Sequence, residues 1–259
     1  MSATHSETKP ARFAGEWWRV IVGLTLFSMA FGYVEADVVV YIRSIYTPMR
    51  AHFYPGSANE LFPLLTLEQL RILGPEHLLH FKAELGREFA TLFMLAGAAI
   101  AAARNLREWV AAFLVCFGIW DITFYLSLKL LLQWPASLLT WDILFLVPVP
   151  WTGPVITPVL VSLSMIGSGL IVLWREYHGY PVYITSFRWG LILLGGVLIV
   201  AAFMWDFRNT ASGGSPHSFN WFLFLTGEAV GLWSFAGSLQ RNQNSGITAR
   251  DAKPHPPVF

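Results

Sequence analysis

Six stretches of this chain are each long and apolar enough to cross a bilayer as a helix. They cover about 17–42, 84–103, 109–132, 152–174, 188–205 and 219–239. About twenty apolar residues are needed to span the hydrocarbon. Backbone polar groups at that depth must pair internally, so an open chain has only the helix as a spanning form. The expected fold is therefore all-α: a polytopic integral membrane bundle of six transmembrane helices. Composition agrees, with 55% hydrophobic and 13% charged residues, where a soluble domain carries about 25% charged.

The rest of the chain divides around this bundle. Residues 1–16 read as a polar N-terminus, 17–240 as the membrane domain and 241–259 as a disordered polar tail. The first apolar run is too long for a signal-peptide core and reads as a retained helix. Tryptophans mark many span ends, among them Trp17, Trp18, Trp109, Trp134, Trp151, Trp174, Trp189, Trp205 and Trp221, as an interfacial belt predicts.

Two connections are unusual. The loop 44–79 contains Thr66-Leu67-Glu68-Gln69, a capping box that predicts a short helix over Leu67–Leu73, stopped by Gly74-Pro75. Segment 134–151 is too short to span and is broken by Pro148-Val149-Pro150. It reads as re-entrant or interfacial, a form tolerated only where protein or a cavity covers the backbone.

Orientation follows from basic residues. Ten fall on the side of the termini (Lys9, Arg12, Arg19, Arg104, Arg107, Arg175, Arg188, Arg241, Arg250, Lys253) and seven on the other. Of those seven, Arg43, Arg87 and Lys129 fall in or beside spans, leaving Arg50, Arg71, Lys82 and Arg208. Both termini are expected in the cytoplasm, with the protein in the cell membrane, the inner membrane of a bacterium.

Against that apolar background, eight carboxylates stand in or beside the spans: Glu35, Asp37, Glu84, Glu88, Asp121, Asp142, Asp206 and Glu228. Each costs about 2.5–3.5 kcal/mol at mid-membrane, so an intramembrane acid marks a functional site by default. The topology places most of them in the half away from the termini, which predicts one shared site. Glu35 lies on the stripe Ser28, Gly32, Glu35, Val39, Ile42 and is the inward acid of its span; Asp37 is expected near the surface. Asp121 is followed by Tyr125 and Lys129 on the same face, a hydrogen-bond chain or ion pair. Asp206 is expected to pair with Arg208.

The densest group is His77, His80, Glu84 and Glu88, at spacings of 3, 4 and 4 on one helix face. Such a face suits Fe, Mn or Zn. The expected metal ligands are His77, His80, Glu84, Glu88, Asp121 and Glu35, with Asp142 and Glu228 as catalytic or supporting groups. A salt-bridge network through Arg87 and a proton or ion relay are the competing readings of the same residues.

Several functions are excluded. A net charge of +1 offers nucleic acid no footprint. There is no nucleotide-binding glycine motif and no Gly-x-Ser-x-Gly. No pair of mid-membrane histidines on separate helices exists for haem. The last span lacks the lysine of a retinal protein. One cysteine, Cys116, forms no internal disulfide and no thiolate metal site; it reads as a small core residue. The expected partners are membrane lipid, a hydrophobic small molecule and fellow subunits of a membrane complex. The leading expectation is a metal-dependent membrane enzyme acting on a hydrophobic substrate. The alternatives are a proton- or cation-coupled transporter or channel, and a non-catalytic subunit.

Overall fold

A computed structural model describes residues 16–57 and 60–251, with side chains through 240. Lys9, Arg12, Lys253 and the tail beyond 251 lie outside the described residues, as do the side chains of Arg241 and Arg250. Among the described residues, six helices are long and apolar enough to cross a membrane, and they form an all-α polytopic bundle carrying one short hairpin. In chain order they are α1 (Trp17–Phe53), α3 (Pro75–Ala102), α4 (Leu106–Leu132), α5 (Ile156–Tyr177), α6 (Ser186–Phe203) and α8 (Trp221–Asp251). Two short helices, α2 (Leu67–Leu73) and α7 (Phe207–Ala211), lie in connections. Large apolar side chains such as Leu26, Phe93, Leu130 and Phe222 point outward, where lipid replaces water as the solvent.

Helix boundaries differ from the hydropathy pattern on one side of the bundle. α1 runs eleven residues past Ile42, through Pro48 to Phe53, and α3 begins at Pro75, nine residues before Glu84. Helix propagation needs backbone hydrogen bonds rather than apolar side chains, so these turns project beyond the apolar stretch. Arg50 fixes the projection by donating to the carbonyls of Pro63 and Ser57, each at 3.0 Å. α2 forms where its capping box predicts: the Gln69 N–H donates to Thr66 Oγ1 at 3.2 Å, and the Thr66 N–H to Gln69 Oε1 at 2.8 Å. The backbone of α8 stays helical to Asp251, beyond the expected start of the tail.

The re-entrant segment is a β-hairpin, β1 (Trp141–Phe145) with β2 (Trp151–Pro154), antiparallel with Asp142 opposite Gly153. Pro148, Pro150 and Pro154 deny it a helix. Its strands satisfy each other's backbone groups, and the Leu146 N–H just past β1 donates to Glu88 at 2.9 Å. Of the belt tryptophans, Trp18, Trp174, Trp189, Trp205 and Trp221 are exposed. Trp151 instead turns inward on this hairpin, and Trp134 lies under the Arg43 guanidinium, 4.2 Å from its ring centroid.

Packing divides the bundle into two bodies. α4 is the hub of the first, packed against α1, α3 and α5; α6 and α8 pack chiefly on each other. Close approach in the second body needs glycine. A Cβ on Gly195 would lie 2.6 Å from the Gly227 carbonyl oxygen, and one on Gly227 would lie 2.6 Å from that of Gly195. α5 meets α8 only lightly. The hairpin joins the bodies through Phe203, Phe219 and Phe224, with Trp141 and Trp151 packed against them.

Candidate functional site

A cavity of about 460 Å³ occupies the hairpin-side half of the bundle. Its lining includes Glu35, Glu84, Glu88, Asp121 and Asp142, the convergence expected from the sequence, and three arginines, Arg43, Arg50 and Arg87. Leu61, Leu64, Leu65 and Leu70 roof it from the long connection. An aromatic run on α4 forms one wall, with Phe117–Trp120 centroids 5.3 Å apart and Trp120–Phe124 centroids 6.3 Å apart. Trp151 stacks toward Phe203 at 6.4 Å on the facing wall. The indole N–H groups of Trp120 and Trp151 are buried without a protein partner.

The five acids are held in two ways. On the α1–α3 side, Arg87 is bonded to both Glu35 and Glu84, with its Nε 2.8 Å from Glu84 Oε2. Thr91 Oγ1 donates to Glu35 Oε1 at 2.6 Å. Glu35 is the inward acid of α1, as the stripe predicted; Asp37 is half-buried and does not line the cavity. On the α4–α5–hairpin side no cation among the described residues bonds the acids directly. Ser162 Oγ donates to Asp121 at 2.8 Å, and the Tyr125 hydroxyl to Asp142 at 2.9 Å. Glu88, between the two sides, has only the Leu146 backbone N–H. Burial pushes the Asp142 carboxyl up to about 6, against the opposing effects of the Tyr125 hydrogen bond, the Ile143 N–H and the Arg43 charge.

This arrangement does not support the expected metal centre. Among the described residues, no group of three or more His, Cys, Asp or Glu side chains could hold a metal ion. His77 and His80 share a helix face with Glu84 and Glu88, but eleven residues of helix rise about 16 Å. The histidines sit outside the cavity: their rings lie 6.0 Å apart, His80 is exposed, and His77 Nε2 is 3.5 Å from Glu76. Glu84 and Glu35 are consumed by Arg87. Glu88 and Asp121 turn to different partners.

Two other expected pairings resolve differently. Asp121, Tyr125 and Lys129 do not form a chain: Lys129 Nζ donates to the Gln133 and Pro135 carbonyls at 3.3 and 3.0 Å, closing the end of α4. Asp206 pairs with His217 at 3.2 Å and with Asn209 at 2.9 Å, away from Arg208. Burial raises its carboxyl, but the hydrogen bonds from Asn209 and His217 outweigh that and hold it below the usual range.

Glu228, expected beside Asp142, lines a different space. Ser164 Oγ donates to it at 2.8 Å in a second cavity of about 840 Å³. That cavity lies between the two bodies in the half nearer the helix ends at Ala102, Tyr177 and Ser186.

The sequence reading missed several participants. Ser162, Ser164 and Thr91 are ordinary hydroxyl residues in apolar helices. The tryptophans at 120 and 151 look like any others in a chain of twelve. Buried Glu108, bonded to Arg104 at 2.8 Å, and Glu176, bonded to Arg107 at 2.6 Å, fasten helix ends. No protein-family model, curated protein or solved structure matches this chain.

Proposed function

We propose that this membrane protein is a carrier whose hairpin-side cavity binds an amphipathic organic cation. The observation that carries this reading is the charge and partnering of the cavity's acids. Five carboxyl groups face three arginines. Arg87 is spent on Glu35 and Glu84, Arg50 on two loop carbonyls, and Arg43 lies over Trp134 and reaches Asp142 through its charge alone. Asp121 and Asp142 keep unfilled acceptor capacity beside hydroxyl donors, and aromatic faces attract cations electrostatically. The volume falls within the ~300–1,000 Å³ range of small-molecule sites. A lipid-soluble body with one positive head matches both the apolar walls and the acidic end.

A second reading, an enzyme acting on the same ligand, draws on the Tyr125–Asp142 hydrogen bond, which could relay a proton to a bound molecule. Chemical alteration of the ligand during incubation would favour that reading over the carrier.

The test is binding of ethidium, a fluorescent aromatic cation, to the detergent-purified protein, followed by fluorescence polarisation. We expect saturable binding that Asp121→Asn weakens about tenfold or more, in line with a lost charge-assisted contact of ~1.5–3 kcal/mol. Glu68→Gln, on the exposed face of α2, should leave it unchanged. Absence of saturable binding, or binding indifferent to both Asp121→Asn and Asp142→Asn, would overturn the reading.

A further inference from the structure

We infer that the second cavity is the other half of a transmembrane route, with Glu228 as a second cation subsite and α6–α8 as the moving body. This rests on the carrier reading above. Four observations converge on it.

The first is continuity. Val161 and Met165 of α5, with Gly196, Ile199 and Val200 of α6, line both cavities. The two spaces lie in opposite halves of the bundle and share one apolar wall. A carrier needs this layout: a chamber toward each face and a thin barrier between them. The acids expected from the sequence gather mostly in one half. The structure supplies the missing half as a largely apolar cleft, which hydropathy does not reveal.

The second is chemistry. Among the described side chains lining the cleft, Glu228 is the one acid and Arg107 the one cation. Arg107 is bound to Glu176 at 2.6 Å near the cleft's far end. Glu228 is held by a hydroxyl, Ser164, as Asp121 is held by Ser162 one helical half-turn away on α5. The same acid–serine pairing therefore recurs on each side of the wall.

The third is the division into two bodies. The mutual close approach of Gly195 and Gly227 makes α6 and α8 a unit. Their contact with α5 is slight, and the cleft is the gap that results. Ridges that do not interlock do not resist a small rotation.

The fourth is the pivot. At the hairpin end, Phe203, Phe219 and Phe224 pack with Trp141 and Trp151. Rotation of α6–α8 about this cluster would narrow the cleft and displace Gly196, Ile199 and Val200 from the shared wall. Rigid-body rocking of one helix group against another is a general solution to alternating access.

The experiment uses full-length protein in lipid vesicles that enclose DNA, so that entering ethidium brightens. Gly231→Phe and Ser168→Phe each fill the cleft from a different helix. Neither position lines the hairpin-side cavity, and a Cβ on Gly231 meets nothing within 4 Å. We expect both variants to keep Asp121-dependent ethidium binding, which also reports their folding, and to admit ethidium about tenfold or more slowly, equivalent to ~1.4 kcal/mol on the barrier. Glu228→Gln should slow entry as well. Wild-type entry rates in both filled variants would overturn the route. So would wild-type protein that binds ethidium but admits it no faster than protein-free vesicles, and that result would leave the binding site standing. Failure of the wild type to bind at all would strike the carrier reading first.

Discussion

Arg87 and Asp121 face each other across one cavity, yet their surroundings solve the buried-charge problem in opposite ways. On the α1–α3 side the acids Glu35 and Glu84 are neutralised by a shared guanidinium. On the α4–α5–hairpin side the described donors bonded to the acids are neutral, the Ser162 hydroxyl for Asp121 and the Tyr125 hydroxyl and Ile143 N–H for Asp142, with Arg43 acting on Asp142 through its charge alone. A paired charge has spent its electrostatic capacity on the fold. A carboxyl held by a neutral donor keeps an acceptor for something that arrives. On the proposed reading the first side is therefore scaffold and the second is site.

The sharpest way to break this comparison is Arg87→Met. It strands buried Glu35 and half-buried Glu84, and removing one partner of a buried pair costs about 3–5 kcal/mol. We expect a large fall in thermal midpoint in detergent, or failure to accumulate. A midpoint near wild type would erase the distinction between the two sides. Next is Gly227→Leu, which drives a side chain against the α6 backbone and should cost about 1–3 kcal/mol. Gly231→Leu one turn on, where space is open, should cost less in the same thermal scan.

Asp121→Asn should then show the reverse pattern to Arg87→Met. It stays nearly isosteric and retains the Ser162 contact, so stability should change by under about 1 kcal/mol, while ethidium binding drops. If stability fell as far as in Arg87→Met, Asp121 would belong to the scaffold.

A smaller effect is expected from pH. Asp142 is raised to about 6, so it is neutral below that value and anionic above. Ethidium binding should strengthen as pH rises through about 6, and Asp142→Asn should flatten the profile. The smallest effect lies at the rim. Asp206 is held below the usual carboxylate range, so its contribution is present above about pH 4 and lost as pH falls through its folded value. Asp206→Asn should remove only that acid-side loss, read as the thermal midpoint between about pH 5 and 2.

Much of the architecture was legible beforehand because membrane insertion is decided locally. A run of apolar residues and a capping box at Thr66–Gln69 carry their meaning in adjacent positions, and both appear where expected. The meeting of Glu35, Glu84, Glu88, Asp121 and Asp142 was also legible, from their depth along the spans. Arg87 as a partner of the α3 acids was legible too, and Glu84 is bonded to it, but the partners from other helices were not. Arg87 reaches Glu35 across 52 positions, and Ser162 reaches Asp121 across 41. Nothing near either residue in the chain announces these contacts.

The sequence by itself determined that six segments are long and apolar enough to cross a membrane and that five acids gather in one half, because the bilayer tests each segment separately for hydrophobicity and length. Only the tertiary structure decided how those acids are held. Whether a carboxyl is cancelled by an arginine or left with a hydroxyl depends on which helix faces meet, and close packing at Gly32 of α1 on α4 and at Gly118 of α4 on α5 helps set those faces. The second cavity is likewise a property of the assembly: it exists where two well-packed bodies fail to interlock, and no residue encodes that gap alone.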